Sequence, residues 1–137
     1  MCKVVIVVAL VALLAPSPGS AAVISYTCTF ELTVSPPEDG DLAKATKSSK
    51  TPMTLRFVVD GSAGKAYILG NLGSAEVDVS MVREGEQVRG LVFVERVPSG
   101  TLQVTAIDAT SLRSVHSRHT FMRGLFPSQA YGTCEER

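Results

Sequence analysis

This chain has no tryptophan, and only three tyrosines and five phenylalanines. Sugar-binding faces offer broad aromatic platforms, and few residues here can supply one. A surplus of either charge is also missing, with 13 Lys and Arg against 13 Asp and Glu. Nucleic-acid binding rests on phosphate neutralisation and a polybasic membrane anchor on clustered cations, so neither partner is expected. Histidines number two and cysteines three, with no Cys/His cluster at metal-ligand spacing. No metal and no cofactor is expected. No segment of ten or more residues has the helical period. A helical bundle and a doubly wound α/β sheet are thereby excluded.

What is present begins with the first residues. Met1-Cys2-Lys3 is a short, singly charged head, Val4 to Leu14 is an unbroken apolar run, and Ala15 to Ala22 is a small-residue stretch. This order is that of a cleaved secretory signal. Cutting after Ala22 puts Ser20 and Ala22 at the −3 and −1 sites; cutting after Ala21 puts Gly19 and Ala21 there. A membrane anchor is the competing reading. The apolar run spans roughly 16 Å as a helix, about half of the ~30 Å hydrocarbon core. Pro16 and Pro18 stop its extension. Residues 1–22 are therefore read as a leader and 23–137 as one domain. The localisation expected is periplasmic or extracellular, with no membrane span after cleavage.

Removing the leader leaves about 115 residues, enough for a single core. It also discards Cys2 and leaves Cys28 and Cys134. In an oxidising compartment two cysteines allow one intramolecular bridge, here between the two ends of the domain.

Ile24, Tyr26, Cys28, Phe30, Leu32 and Val34 alternate with polar residues. This predicts a half-buried strand with all six on the core face, ended by Pro36-Pro37. Residues 35–52 form a long surface connection in which Asp41 to Lys47 suits one or two helical turns. Beyond it, strands are predicted around 53–57, 65–69, 75–81, 88–97, 102–106, 114–122 and 129–135. The turns between them fall at Asp60–Gly64, Gly70–Gly73, Glu84-Gly85 and Pro98–Gly100, with Pro127 separating the last two strands. About eight short strands at hairpin spacing make an all-β antiparallel meander. A Cys28–Cys134 disulfide would set the first and last strands side by side and close the meander into a barrel. A two-sheet sandwich with the same bridge is the alternative.

Few residues point to chemistry. His116 and His119 stand three apart, so a regular strand points them to opposite faces and they cannot share one ion. His119, with Val115, Ser117 and Phe121, is expected on the core face; His116 and Arg118 are expected to be exposed. Ser117 and His119 would share a face, but about two strand rises apart, roughly 6–7 Å. Gly61-Ser62-Ala63-Gly64 is not a nucleophile elbow, so no catalytic residue is proposed. One acid-free stretch gathers Arg113, His116, Arg118, His119 and Arg123. His116, Arg118 and Arg123 are the candidate partner-binding residues, toward a protein or an anionic envelope component. The bland alternative pairs these arginines with Glu76, Asp78 or Glu95 on neighbouring strands.

Two resemblances follow from the motifs. His116-Ser117-Arg118-His119-Thr120 and Pro127-Ser128-Gln129-Ala130-Tyr131-Gly132-Thr133-Cys134, with Tyr26-Thr27-Cys28 at the start of the domain, resemble a group of small exported bacterial β proteins. That resemblance implies export, a disulfide and a β fold. The chain is more faintly similar to periplasmic inhibitors of C-type lysozyme, which are eight-stranded barrels opening with Tyr-x-Cys. Their inhibitory loop is matched by Ala63-Gly64-Lys65-Ala66-Tyr67, with Ala63 where that family carries serine. Asn71-Leu72-Gly73 lacks the Trp and Lys of a later family element. The resemblance implies an inhibitor-like role for Gly64, Lys65 and Tyr67. The functional expectation is a small exported, non-enzymatic β-barrel-like binding or envelope-interaction protein. A lysozyme inhibitor and a lipocalin-like carrier of a small apolar ligand are the alternatives.

Overall fold

Period-two alternation becomes nine strands in the computed structural model, which describes residues 23–37, 41–70, 73–121 and 125–137. The leader expected over residues 1–22, and Arg123, lie outside the described residues. The strands are β1 (Val23–Ser35), β2 (Thr46–Ser48), β3 (Met53–Asp60), β4 (Lys65–Gly70), β5 (Gly73–Glu84), β6 (Gln87–Arg96), β7 (Leu102–Asp108), β8 (Arg113–Phe121) and β9 (Leu125–Glu136). Each pairs antiparallel with its spatial neighbour in the order β2-β1-β3-β4-β5-β6-β7-β8-β9, and β1 also pairs with β9. Eight strands thus close into a barrel, as the spacing predicts, rather than into a sandwich. Closure removes the two free edges an open meander would expose.

The ninth strand is short β2, which the sequence pattern did not suggest. It lies in the connection after β1 and pairs with the end of that strand, Thr33–Ser35. Before it comes a 3-10 turn at Leu42–Lys44, started by Asp41, whose Oδ1 accepts from the Ala43 N–H at 3.0 Å.

The bridge lies at the seam. Cys28 and Cys134 are direct register partners of β1 and β9 and are joined by a disulfide across a sequence separation of 106. Both are buried. Beyond Cys28 the register slips at Glu31: Phe30 opposes Gly132, but Leu32 opposes Tyr131 and Val34 opposes Gln129. One extra residue in a strand turns every later side chain to the other face. Leu32 and Val34 therefore leave the core face on which the alternation placed them, and Thr33 takes it opposite buried Ala130.

The last strand also departs from expectation. Pro127 lies inside β9 and opposes His119 instead of breaking the chain. That part of β9 pairs with β8 alone, because β1 joins only from Gln129 onward. A residue without an N–H is tolerated where one side of the strand is open.

Phe30, Phe57, Phe93, Ile107 and Cys28 are the largest side chains wholly withdrawn from solvent. The Phe57 and Phe93 rings stack across the interior, with centroids 4.4 Å apart. Burying one such ring contributes roughly 1.5–3 kcal/mol. Eight strands enclose a space that side chains can just fill, and here the aromatic layer fills its middle.

Candidate functional site

Inward-facing residues of β6, β7, β8 and β9 form rows across the barrel wall. Phe93, Thr105, His116 and Ala130 make one row, each opposite the next in register. Two residues along each strand, toward one end, Glu95, Gln103, Arg118 and Ser128 make another. Gln103 is the register partner of Glu95 on one side and of Arg118 on the other. The first row belongs to the packed interior; the second opens on the barrel mouth.

That mouth is a cup of about 720 Å³. Glu95, Gln103 and Arg118 line one wall, and Met53, Leu55, Ile68 and Ala75 the other. Pro52, Gly70 and Gly73 border it from the chain ends nearby. The aromatic pair lies one layer deeper, since Phe57 follows Leu55 and Phe93 precedes Glu95 on their inward faces. The volume suits a small ligand, and the lining combines apolar side chains with a few convergent polar groups, as ligand sites do.

The cup's two charges have no ion-pair partner among the described residues. Several charges on the outer surface do: Lys65 reaches Glu76 at 3.0 Å, Arg89 reaches Glu84 at 2.7 Å, and Arg96 pairs with Asp78. Two of the three acids weighed as partners for the late arginines are thus taken by other cations, and Glu95 faces Arg118 across Gln103 without joining it. Among the described residues, no three His, Cys, Asp or Glu side chains gather closely enough to hold a metal ion. No described helix is long and apolar enough to cross a membrane.

The two histidines exchange the faces assigned to them from sequence. His116 is buried, 3% exposed, and its Nδ1 lies 2.9 Å from the Thr105 Oγ1. Its ring also meets Phe30, with centroids 5.6 Å apart. Burial, and then the nearby Arg118 charge, pushes its pKa down to about 4, so the ring is neutral near pH 7. His116 Nε2 and Ser114 Oγ are buried without a hydrogen-bonding group in reach among the described residues. His119 instead sits half-buried on the outer face, in a shallow groove with Val34, Pro36, Ala45 and Pro127. The sequence pointed to the wrong face because Val115 and Phe121 make the outer side of β8 the more apolar one.

Of the three candidate partner-binding residues, Arg118 is exposed in the cup and His116 lies beneath it in the core. The reading of His116 as a solvent-facing contact is corrected by that burial. Glu95 and Gln103 were missed as site residues. Period two would have placed Glu95 with Leu91 and Phe93, and Gln103 with Thr105 and Ile107, but no local signal marks the row they share with Arg118.

The inhibitor-like loop lies at the other end of the barrel, where β3 turns into β4. Asp60 Oδ1 accepts from Ser62 N–H and Ala63 N–H, each at 3.0 Å, and from Ser62 Oγ at 2.6 Å. The Ser62 hydroxyl, then the Ala63 amide, holds the Asp60 carboxyl below its ordinary range. Gly64 closes the turn at φ 63°, a conformation glycine takes freely. Lys65 is exposed, its pKa raised first by its hydrogen bond to Glu76, and Tyr67 is half-buried beside it.

No family model, curated protein or solved structure matches this chain. Its own geometry therefore carries the functional argument.

Proposed function

We propose that this chain is an exported, non-enzymatic binding protein that receives a small ligand in the mouth of its barrel. The observation that carries the reading is the cup itself: about 720 Å³, with Arg118, Gln103 and Glu95 facing an apolar wall of Met53, Leu55, Ile68 and Ala75. A wall of mixed chemistry favours an amphipathic ligand over the wholly apolar cargo of a lipocalin-like carrier. One feature supports export: the Cys28–Cys134 bridge suits an oxidising compartment.

Filling the cup tests the reading. The dye 8-anilinonaphthalene-1-sulfonate carries an apolar body and an anionic head, so its fluorescence should rise with the native protein. Ala75→Phe adds a ring to the wall and should weaken that binding about tenfold or more, with the thermal midpoint retained. Equal dye binding by both proteins would overturn the assignment of the mouth.

A second reading rests on the stiffened β3–β4 turn. Asp60 fixes three donors of an exposed loop that presents Gly64 and Lys65, a geometry suited to entering an enzyme cleft. Inhibition of muramidase digestion, lost in Lys65→Ala, would support an inhibitor of C-type lysozyme; a flat titration rejects it.

A further inference from the structure

We propose that the ligand of the cup is a short apolar peptide with both termini free, bound with its carboxylate at Arg118 and its ammonium at Glu95. The inference rests on the mouth being the binding site and names the chemistry that fits it.

Charge balance is the first reason. The cup presents one cation and one anion, each without an ion-pair partner among the described residues. A ligand of single charge satisfies one and leaves the other facing a like charge or none. A zwitterion satisfies both. Partial enclosure by protein strengthens each attraction relative to open water.

Spacing is the second. Glu95 and Arg118 lie two strands apart in register, with β7 between them. Neighbouring strands are ~4.8 Å apart, so their backbones stand about 10 Å from one another. An extended dipeptide or tripeptide spans roughly 7–11 Å. A free amino acid, with its charges on adjacent carbons, is too short to meet both groups unless both side chains bend inward.

The group between them is the third. Gln103 holds the register position between the two charges, and its amide is both donor and acceptor. A peptide group offers the complementary pair. Opposite this row, Met53, Leu55, Ile68 and Ala75 give apolar side chains a surface to cover. A singly anionic amphiphile, such as a fatty acid, would use that wall but leave Glu95 unanswered.

The test titrates the full exported protein with leucyl-leucine, its N-acetyl form and its C-terminal amide, by calorimetry at pH 7. The free dipeptide should bind most tightly, and blocking either end should weaken binding about tenfold or more. In Arg118→Gln the amide and the free acid should bind alike; in Glu95→Gln the acetylated and free peptides should bind alike. Neither variant removes an apolar core residue, and circular dichroism checks that each is folded. Equal affinity for all three peptides, or preference for a blocked form, overturns the zwitterion inference. Failure of every peptide overturns it too, and the dye result then decides the broader reading: dye bound and displaced by Ala75→Phe keeps the mouth as a binding site, and no dye bound removes both.

Discussion

A Cβ built on Gly132 would fall 1.9 Å from the carbonyl oxygen of Thr29 and 2.7 Å from the Phe30 Cα. The β1 and β9 backbones pass there more closely than any side chain permits, beside the bulge at Glu31 and two residues from Cys134. The barrel seam is built on that approach. Gly132→Ala should therefore cost more than about 4 kcal/mol, seen as loss of soluble protein or a collapsed thermal midpoint. Gly70→Ala is the control: nothing lies within 4 Å of its Cβ position. Its effect should stay within about 0.5 kcal/mol. A Gly132→Ala protein as stable as the control would show that the strands do not meet this way.

The disulfide acts on the same seam from the unfolded side. Linking residues 106 apart in sequence removes chain entropy worth on the order of 4–5 kcal/mol. The double variant Cys28→Ala with Cys134→Ala should lose several kcal/mol of that order in urea unfolding, plus the loss of two buried sulfurs. Unfolding midpoints that coincide with and without reductant would mean the ends are not tied in the native protein.

The sequence made the barrel legible because one face of most strands is apolar and the connections are short. Cys28 and Cys134 added the long-range fact that alternation cannot give, namely which strands close the circle. What escaped was wherever the period shifts or the faces are equally polar. The bulge at Glu31 leaves no mark in a run that alternates cleanly through Val34. On β8, His116 and His119 differ by one pleat direction, and Val115, Ser117 and Phe121 suggested the wrong one. The cup was invisible for a different reason. Glu95, Gln103 and Arg118 are brought together by register across three strands, and each alone looks like a polar residue on a strand.

Burial of His116 predicts an acid-sensitive core. Its pKa falls from an ordinary 6.5 to about 4 in the folded protein, chiefly through burial. Between those values the unfolded chain binds more protons, so stability declines as pH drops from about 6.5 to 4 and this contribution levels off below. The full difference is on the order of 3 kcal/mol. Asp60 and Asp108 carry carboxyls held below 3.8, so their losses come at lower pH and do not mask this window. Urea unfolding at half-unit pH steps should show the slope, and a folded His116→Gln variant should flatten it. Parallel profiles for both proteins would place the acid sensitivity elsewhere.

Export makes a prediction about mass. Cleavage after Ala22 leaves Val23 as the first residue, and cleavage after Ala21 leaves Ala22. Val23 pairs with Asp60 in β1, and either cut leaves that pairing in the mature chain. Intact mass spectrometry of protein recovered outside the cytoplasm should find one of those two termini, lighter by the two hydrogen atoms lost in forming the disulfide. Protein retained in the cell with Met1 intact would reject the leader.

Arg118 and His116 share the inward face of β8 two residues apart, so the cup's charge is felt in the core beneath it. The burial of His116 comes first among the causes of its low pKa and the Arg118 charge second. Arg118→Gln should therefore raise the His116 pKa above about 4 while leaving it below 6.5, because burial persists. Imidazole proton shifts followed by NMR across pH 3 to 7 measure it directly. Arg113→Gln is the control, since exposed Arg113 is not among the charges acting on the ring. A carboxylate seated on Arg118 offsets the same positive charge and should move the histidine in the same direction. If Arg118→Gln leaves the titration in place, or lowers it, then the guanidinium does not stand above His116 and the layering of cup over core is wrong.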